Sequence, residues 1–374
     1  MSKSTSPLIS VCLPVYETEP YLEACLRSVI TQDFDSFEIL VLNDASFGRD
    51  ERGRSTKKIV RAMEKECKKV RKLSGLAPVE LHYIEHSENR GLVEVRRTLV
   101  YEAHGKYILQ CDSDDQLEAG ALKALAKAVS TGSTTANSGS TTANSGSAAA
   151  ADCDIVHGTS TAGTFDSENK FTSAKENRYG AIHYGKLEGR EIFTRWLLGK
   201  EVAGTSWGKL ISRELFLKAF ENIPYTECNM AEDFLLFFYI SLNAKSYTGI
   251  ETKVYRYRLN SGMTGTRKIS TPLAWRKICS AASVFAIISQ YMQNKPEAFS
   301  NEEVEEVRRR TVFYLNNNLK QLRETVVPEI QDKARAMLCE YWGTDFVERV
   351  EGRCGAEPNI INLRNLLFKN SKIY

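Results

Sequence analysis

The chain has 374 residues, of which 26% are charged and 42% hydrophobic, a composition typical of a folded globular protein. The formal net charge of +3 gives no basis for nucleic-acid binding, so no nucleic-acid partner is expected. The nine cysteines show neither a CxxC pair nor metal-finger spacing, which predicts reduced thiols in a cytoplasmic protein. The polar start lacks the apolar core of a signal peptide, and no apolar stretch is long enough to span a bilayer.

Short apolar runs alternate with segments of helical spacing along the first part of the chain. The runs predicted to be strands are 8–13, 37–42, 81–84 and 107–111. The segments predicted to be helices are 22–30, 55–72 and 92–103. Pro14 is expected to stop the first strand. The alternation predicts an α/β fold with a mostly parallel sheet flanked by helices.

The fourth predicted strand ends in three carboxylates, Asp112, Asp114 and Asp115. In an open α/β sheet, ligands bind outside the carboxyl ends of the strands. Carboxylates this close repel one another unless a cation or hydrogen-bond donors lie between them. Hard oxygen ligands suit Mg²⁺ or Mn²⁺, with substrate phosphates completing the shell. The alternative interpretation is an acidic turn that caps the next helix.

The second half of the chain differs in character. Residues 133–146 are the heptad Ser-Thr-Thr-Ala-Asn-Ser-Gly written twice, which predicts a disordered low-complexity insertion over 131–151. Beyond Pro272 the pattern is mainly helical, with one clear helix over 302–325. The basic ending 363–369 is interpreted as a helix that packs on the body, and peripheral membrane contact is kept as the alternative.

Several segments, in this order, resemble the motifs of the family 2 glycosyltransferases of the GT-A fold. They are 10–16, 38–46, 89–92, 96–97, 105–107, 112–115, 207–210, 232–233 and 255–258, followed by Ser261 and Thr264. The resemblance covers 7–265. It implies a Rossmann-like catalytic domain over 1–265 and a helical extension over 266–374.

The resemblance implies an inverting, metal-dependent enzyme that moves a sugar from a nucleotide diphosphate, foremost a UDP-sugar, to a glycan or lipid-linked acceptor. Cell-surface polysaccharide or glycolipid synthesis is the expected setting, in the cytoplasm or peripherally on the inner face of the membrane. Mn²⁺ or Mg²⁺ is the expected cofactor, with Asp114 as the direct ligand and Asp112 on the ribose or supporting the metal. Donor contacts are expected from Pro14, Val15, Tyr16, Glu17, Asp44, Arg90, Arg97, Asp112, Ser113 and Asp114.

Among these, Asp44 matches a family acid that accepts a hydrogen bond from the nucleotide base, while Asn43 stands where the family has a second acid. The alternative for Asp44 is a turn residue after a strand. Asp233 matches the family's general base, and its alternative, shared with Glu232, is a cap on the apolar helix that follows. Acceptor contacts are expected from Trp207, Lys209 and Glu232, although the tryptophan is equally compatible with the core.

Two rival functions are compatible with the same α/β chain. A nucleotidyltransferase can share the sheet and the acidic metal site, but 14–17 is not the Gly-rich phosphate loop that it would have after its first strand. A catalytically silent module could bind a nucleotide or glycan without turnover. The presence of both Asp114 and Asp233 favours the enzyme.

Overall fold

The computed structural model describes residues 6–131, 152–175, 180–259, 261 and 268–352. The predicted insertion from residue 132 onward, Thr264 and the basic ending lie outside the described residues. Two compact units share the rest: the first takes the described parts of Met1–Arg90, Val95–Asn222 and Tyr239–Leu259, and the second those of Gly91–Glu94, Ile223–Phe238 and Asn260–Tyr374.

All strands belong to the first unit. They are β1 (Ile9–Val15), β2 (Phe37–Asn43), β3 (Leu81–Glu85), β4 (Tyr107–Gln110), β5 (Gln116–Leu117), β6 (Ile155–Phe165), β7 (Phe171–Ser173), β8 (Gly185–Glu188), β9 (Lys209–Ser212) and β10 (Ser246–Arg258). The α-helices are α1 (Glu19–Ile30), α2 (Thr56–Leu73), α3 (Leu92–Glu102), α4 (Ala121–Thr131), α5 (Arg190–Leu197), α6 (Arg213–Asn222), α7 (Glu232–Asn243), α8 (Pro272–Cys279), α9 (Ala281–Asn294), α10 (Asn301–Glu324), α11 (Gln331–Trp342) and α12 (Thr344–Gly352).

The sheet has the order β3-β2-β1-β4-β9-β6-β10-β5, with β7 beside β6 and β8 beside β10. The first four strands in this order are parallel, and Val11 lies opposite Ile39 on one side and Leu109 on the other. Further along, β9 runs antiparallel to both of its neighbours, whereas β6 and β10 are parallel. The predicted α/β class is therefore confirmed, with the parallel order concentrated in the strands that the sequence identified first.

Every residue of β1, β2 and β4 is buried, which explains their continuous apolar runs. The prediction that Pro14 stops the first strand is wrong, because β1 continues to Val15. The carbonyl of Cys12 accepts from the amide of Cys111, which directly follows β4. Pro14 lies two residues further along β1, so its backbone nitrogen faces the same side. On that side β4 pairs with β1 only as far as Cys12. The missing amide of Pro14 therefore costs no ladder hydrogen bond.

Gly105, part of one matched motif, is required by packing at the opposite end of the sheet. A Cβ atom at this position would lie 2.5 Å from the Ser10 hydroxyl oxygen and 2.8 Å from the Ile9 carbonyl carbon. The buried Glu38 carboxylate accepts from the Ser10 hydroxyl at 2.6 Å and from the Gly105 amide at 3.2 Å. This glycine therefore serves the fold rather than a ligand.

The second unit is helical and includes α8 to α12, which agrees with the helical pattern predicted beyond Pro272. Its core contains Trp275, whose indole N–H donates to the Ala334 carbonyl at 2.7 Å. The Trp342 indole donates to Asn318 at 3.0 Å, so both buried indoles are satisfied. No helix within the described residues has both the length and the apolar character needed to cross a bilayer.

Candidate functional site

The carboxyl ends of β1, β2 and β4 lie side by side because these strands are parallel neighbours. Tyr16 follows β1, Asp44 follows β2, and the three acids follow β4. The Asp44 amide donates to the Val15 carbonyl and the Cys111 amide to the Cys12 carbonyl, both at 3.0 Å. The sheet therefore brings the predicted donor-binding segments to one edge.

Left-handed backbone occurs beside three of the predicted functional segments. Glu17 has φ 56°, Ala45 has φ 55°, and Ala231, immediately before Glu232 and Asp233, has φ 65°. This conformation costs a residue with a Cβ atom about 1–2 kcal/mol, and such strain is concentrated at active sites and ligand clamps. The described chain has five non-glycine residues with left-handed backbone, and three of the five lie beside these segments.

The acids after β4 form an acidic turn, defined here as residues 112–115, which is held by β10. Asp115 is 1% exposed, and its carboxylate accepts from the Tyr255 hydroxyl at 2.8 Å and from the Arg258 amide at 2.6 Å. The Tyr255 hydroxyl accepts in turn from the Asp112 amide at 3.0 Å. Asp115 therefore anchors the turn and does not share the ligand role expected of its neighbours.

Charge is crowded in this turn. Burial raises the pKa of Asp115 well above its usual range, and the negative charges of Asp114 and Asp112 raise it further. Hydrogen bonds from Arg258 and Tyr255 oppose this rise without cancelling it. The carboxylates of the turn therefore lie close enough for their charges to repel one another, a repulsion that a bound cation would reduce.

Asp112 is paired with an arginine that the sequence analysis quoted without assigning it a role. The Arg96 side chain is fully buried, and its guanidinium donates to Asp112 at 3.1 Å and to Gln110 at 3.2 Å. Asp112 keeps 26% of its side chain exposed. The signal that could have identified Arg96 is the buried Leu99, which lies three residues from Arg96 on α3 but only two from Arg97.

Arg97, predicted to contact the donor, packs against Phe220 of α6. Its guanidinium donates to the Phe220 carbonyl at 2.9 Å and lies 4.8 Å from the centre of the Phe220 ring. A side chain committed to this packing contact is directed away from Asp112, which its neighbour Arg96 reaches instead. The two arginines are adjacent in sequence and so project from different faces of the helix.

Asp114 is half-buried, and its backbone carbonyl accepts from the Arg258 side chain at 2.8 Å. No hydrogen bond from another described residue reaches the Asp114 carboxylate. The Arg258 guanidinium lies between two rings, 4.5 Å from Tyr21 and 4.1 Å from Phe165. The backbone of Asp114 is therefore fixed while its carboxylate stays available.

Asp44 is buried and already bound by the segment that follows β3. Its carboxylate accepts from His86 at 2.7 Å, from the Asn89 side chain at 2.8 Å and from the Arg90 amide at 3.0 and 3.1 Å. These contacts use most of the acceptor positions of a carboxylate. Arg90 thus reaches Asp44 through its backbone rather than its guanidinium, and Asp44 orders the segment 86–90.

Hydrogen bonds of other predicted donor residues connect the segments that follow β1, β2 and β4. The Ser113 hydroxyl donates to the Pro14 carbonyl at 2.7 Å, and the Glu17 amide donates to the Ser46 hydroxyl at 2.8 Å. Val15 is buried within β1. Tyr16 is partly buried. This burial is the main cause that raises the pKa of its phenol, and the negative charges of Glu17 and Asp44 raise the pKa further, so the phenol stays neutral.

Trp207 and Lys209, expected on the acceptor side, lie in the interior of the first unit. Trp207 is 4% exposed and stacks on Tyr255 at 5.0 Å and on Tyr257 at 5.2 Å between ring centres. Lys209 is fully buried, and its ammonium donates to Thr205 at 2.8 Å. These positions favour the alternative in which the tryptophan belongs to the core, and the acceptor assignment stays a prediction.

Glu232 and Asp233 begin α7 in the second unit, where the helix N-terminus favours negative charge. Phe234, the next residue, packs on Phe285 of α9 at 5.5 Å between ring centres. Phe285 in turn packs on Tyr314 of α10 at 5.1 Å. The acceptor-side glutamate and the predicted base therefore share their surroundings with the helices that follow Pro272.

Residues 10–150 match the sequence model of the family described as "Glycosyl transferase family 2". The match covers less than half of the chain, and this segment resembles that glycosyltransferase family. It contains the edge formed by β1, β2 and β4 together with the acidic turn.

The sequence relatives of the chain are named as glycosyltransferases. EpsH of Bacillus subtilis (strain 168), named as a glycosyltransferase, is 24% identical over 256 residues, which is 68% of this chain and 62% of EpsH. The GalNAc(5)-diNAcBac-PP-undecaprenol beta-1,3-glucosyltransferase of Campylobacter jejuni subsp. jejuni serotype O:2 is 25% identical over 126 residues, 34% of this chain and 36% of the relative. The chain thus matches less than two thirds of either relative.

Among solved structures, TarS 1-349 of S. aureus is 17% identical, with a TM-score of 0.48, and covers 92% of this chain and 91% of that one.

We expect Tyr255→Phe to destabilise the protein by about 1–3 kcal/mol. The ring and its stacking on Trp207 remain, but the Asp115 carboxylate and the Asp112 amide each lose a hydrogen bond in a buried setting. Urea denaturation measures the loss. Tyr101→Phe on an exposed ring is the control, with a change within about 0.5 kcal/mol. Equal stability of the two variants would contradict the anchoring role of Asp115.

Proposed function

We propose that the glycosyltransferase transfers a sugar from a nucleotide diphosphate to a hydroxyl group of a glycan or glycolipid acceptor. The observation that carries the proposal is that the acids of the acidic turn have different roles. The Asp115 carboxylate accepts hydrogen bonds that hold the turn, whereas the carboxylates of Asp112 and Asp114 lie at the ligand-binding edge of the sheet. The uridine base is proposed on the resemblance of Asp44 alone.

Mn²⁺ or Mg²⁺ is the proposed cofactor, with Asp114 and Asp112 as its protein ligands. The described residues contain no group of three or more His, Cys, Asp or Glu side chains arranged for a metal ion. Two carboxylates at this edge, one of them held by Arg96, still fit an ion of this kind, which commonly takes one or two carboxylates, phosphate oxygens and waters. When bound, the ion would neutralise the charge that develops on the departing diphosphate.

The proposed step is a single displacement. The acceptor oxygen forms a bond to the anomeric carbon, and the bond from that carbon to the diphosphate breaks, with its electron pair leaving on the nucleotide. The hydroxyl proton passes to the Asp233 carboxylate, and the configuration at the anomeric carbon inverts. Arg96 supports the donor side by holding Asp112, and Glu232 is the remaining acceptor-side candidate.

The proposed setting is polysaccharide or glycolipid synthesis in the cytoplasm. The name of the Campylobacter jejuni relative specifies an undecaprenol-linked acceptor, which supports a lipid-linked glycan as one acceptor class. The eight cysteines in the described part of the chain are free thiols, which supports a reducing compartment. Peripheral contact with the inner face of the membrane is proposed together with the lipid-linked acceptor.

The test is nucleotide release from a panel of UDP-sugars and GDP-sugars, with added Mn²⁺, with Mg²⁺ and with EDTA. Release of the nucleoside diphosphate from one donor, suppressed by EDTA, is the expected result. Donor binding without release would indicate a silent binding module. Pyrophosphate formation from a nucleoside triphosphate and a sugar phosphate would indicate a nucleotidyltransferase.

A further inference from the structure

Helix α10 of the second unit carries a tyrosine that faces the predicted base through a chain of packed rings. Tyr314 packs on Phe285, and Phe285 packs on Phe234, the residue after Asp233. Ring-to-ring contacts at 5.1 and 5.5 Å fix the position of Tyr314 relative to the start of α7. The placement therefore depends on side chains from three helices and not on one flexible loop.

The Tyr314 hydroxyl has an unusual environment. Burial raises the pKa of this phenol to about 12, and the charges of Glu232 and Asp233 contribute to the rise, whereas Arg310 opposes it. The effect shows that the hydroxyl lies within electrostatic range of both carboxylates. The phenol therefore stays protonated and remains a hydrogen-bond donor at any physiological pH.

The same hydroxyl neither donates to nor accepts from any residue in the described ranges. Tyr314 is half-buried and its hydroxyl oxygen is not fully enclosed, so a ligand can reach it. A donor without a partner among the described residues, held rigidly near two carboxylates, is suited to a ligand that carries hydroxyl groups. A sugar acceptor has this chemistry.

We propose that Tyr314 binds the acceptor, its hydroxyl donating a hydrogen bond to a hydroxyl oxygen of the acceptor sugar near Asp233. The inference rests on the proposed function and extends it, because it assigns part of acceptor recognition to the helical region after Pro272. Tyr314 binds and orients the acceptor, while the proton passes to Asp233.

The test compares Tyr314→Phe with Tyr291→Phe. Tyr291 is a matched control because it lies on α9 in the same unit and packs on Phe238 and Phe299. Its hydroxyl accepts a hydrogen bond from the Lys295 ammonium at 3.1 Å. Nucleotide release is measured with the active donor at saturation and a panel of methyl pyranosides as acceptors. Tyr314→Phe should raise the acceptor KM roughly two- to tenfold, the effect of one lost hydrogen bond, and leave the donor KM unchanged. Tyr291→Phe should change neither constant.

A second readout does not need turnover. In protein labelled with 3-fluorotyrosine, the ¹⁹F resonance that disappears in Tyr314→Phe belongs to Tyr314, and it should move when the stimulating pyranoside is added. An unchanged acceptor KM together with an unmoved resonance overturns the inference. So does the absence of any pyranoside that stimulates release or moves the resonance.

The two levels of proposal fail differently. If the wild-type chain releases nucleotide and Asp233→Asn abolishes release, but Tyr314→Phe behaves like Tyr291→Phe, the inference about Tyr314 is wrong and the proposed function stands. If the wild type releases no nucleotide from any donor, the proposed function is wrong.

Discussion

Replacing Asp114 with asparagine is expected to remove the metal-dependent part of donor binding while leaving the chain folded. The backbone carbonyl of Asp114, which accepts from Arg258, is unchanged in the variant. The carboxylate that is lost receives no hydrogen bond from another described residue, so the turn keeps its protein contacts. What disappears is one negative charge and one hard oxygen ligand.

Calorimetry of UDP binding with and without Mn²⁺ measures this effect. The wild type should bind UDP more tightly when Mn²⁺ is present, and Asp114→Asn should lose that gain by about tenfold or more, since changes even in groups that support metal ligands cost about 10–100-fold. Asp33→Asn is the matched control because it removes a carboxylate whose contact is an exposed ion pair with Lys123. It should bind UDP as the wild type does.

Stability separates this result from simple unfolding. The negative charge of Asp114 raises the pKa of the buried Asp115, so the two carboxylates repel each other in the metal-free chain. Removing one of them should therefore leave the melting temperature unchanged or raise it slightly when no metal is present. Unaltered UDP affinity of Asp114→Asn in the presence of Mn²⁺ would exclude Asp114 as a ligand.

The sequence predicted where the acidic turn would be but could not separate the roles of its members. Three aspartates after a strand are chemically equivalent on paper. Only the fold shows that Asp115 is anchored by Tyr255, which lies 140 residues away in the chain, while Asp114 is not. A hydrogen bond across that separation leaves no local pattern, so the anchoring role was not predictable from the acids themselves.

The spacing of apolar residues predicted the type of each element where the buried positions could be identified from the sequence. The alternating elements of the first 111 residues were predicted correctly, because buried strands and amphipathic helices have different apolar spacing. The same spacing would have separated Arg96 from Arg97 if the buried face of α3 had been identified from Leu99, which is three residues from Arg96 but only two from Arg97. A motif that contains two adjacent arginines does not indicate which one faces the site.

The acceptor side was hard to predict because Trp207 and Lys209 have side chains whose chemistry suits two environments. Trp207 offers a face for a sugar, but the same ring stacks equally well on Tyr255. Lys209 is a cation that usually lies at the surface, yet here its ammonium is satisfied by Thr205 in the interior. Residue type alone cannot distinguish these outcomes, since the deciding neighbours come from distant strands and loops.

Asp233→Asn is expected to lower turnover by about 10²–10⁴-fold, the range that general-base catalysis contributes. The substitution keeps the size of the side chain and removes its ability to take the acceptor proton. Binding of donor and acceptor should persist, because the interaction that is lost is made mainly in the transition state. The variant should therefore show a lower kcat with nearly unchanged KM values.

The competing interpretation is that Asp233 only stabilises α7 through its place in the first helical turn. Asp332→Asn is the matched control, since Asp332 is an exposed acid in the first turn of α11 in the same unit. Both variants should lose about 0.3–1 kcal/mol of stability at most. A purely structural role predicts that they also retain the same turnover.

The stereochemistry of the product gives an independent test of the same step. A single displacement that uses Asp233 as base places the new bond on the opposite face of the donor carbon, so the product must have inverted anomeric configuration. Proton NMR of the product reads this directly from the coupling of the anomeric proton. Retention at that carbon would require a different mechanism even if Asp233→Asn were inactive. Inversion together with near-normal turnover of the variant would transfer the base role to another residue, with Glu232 as the first candidate.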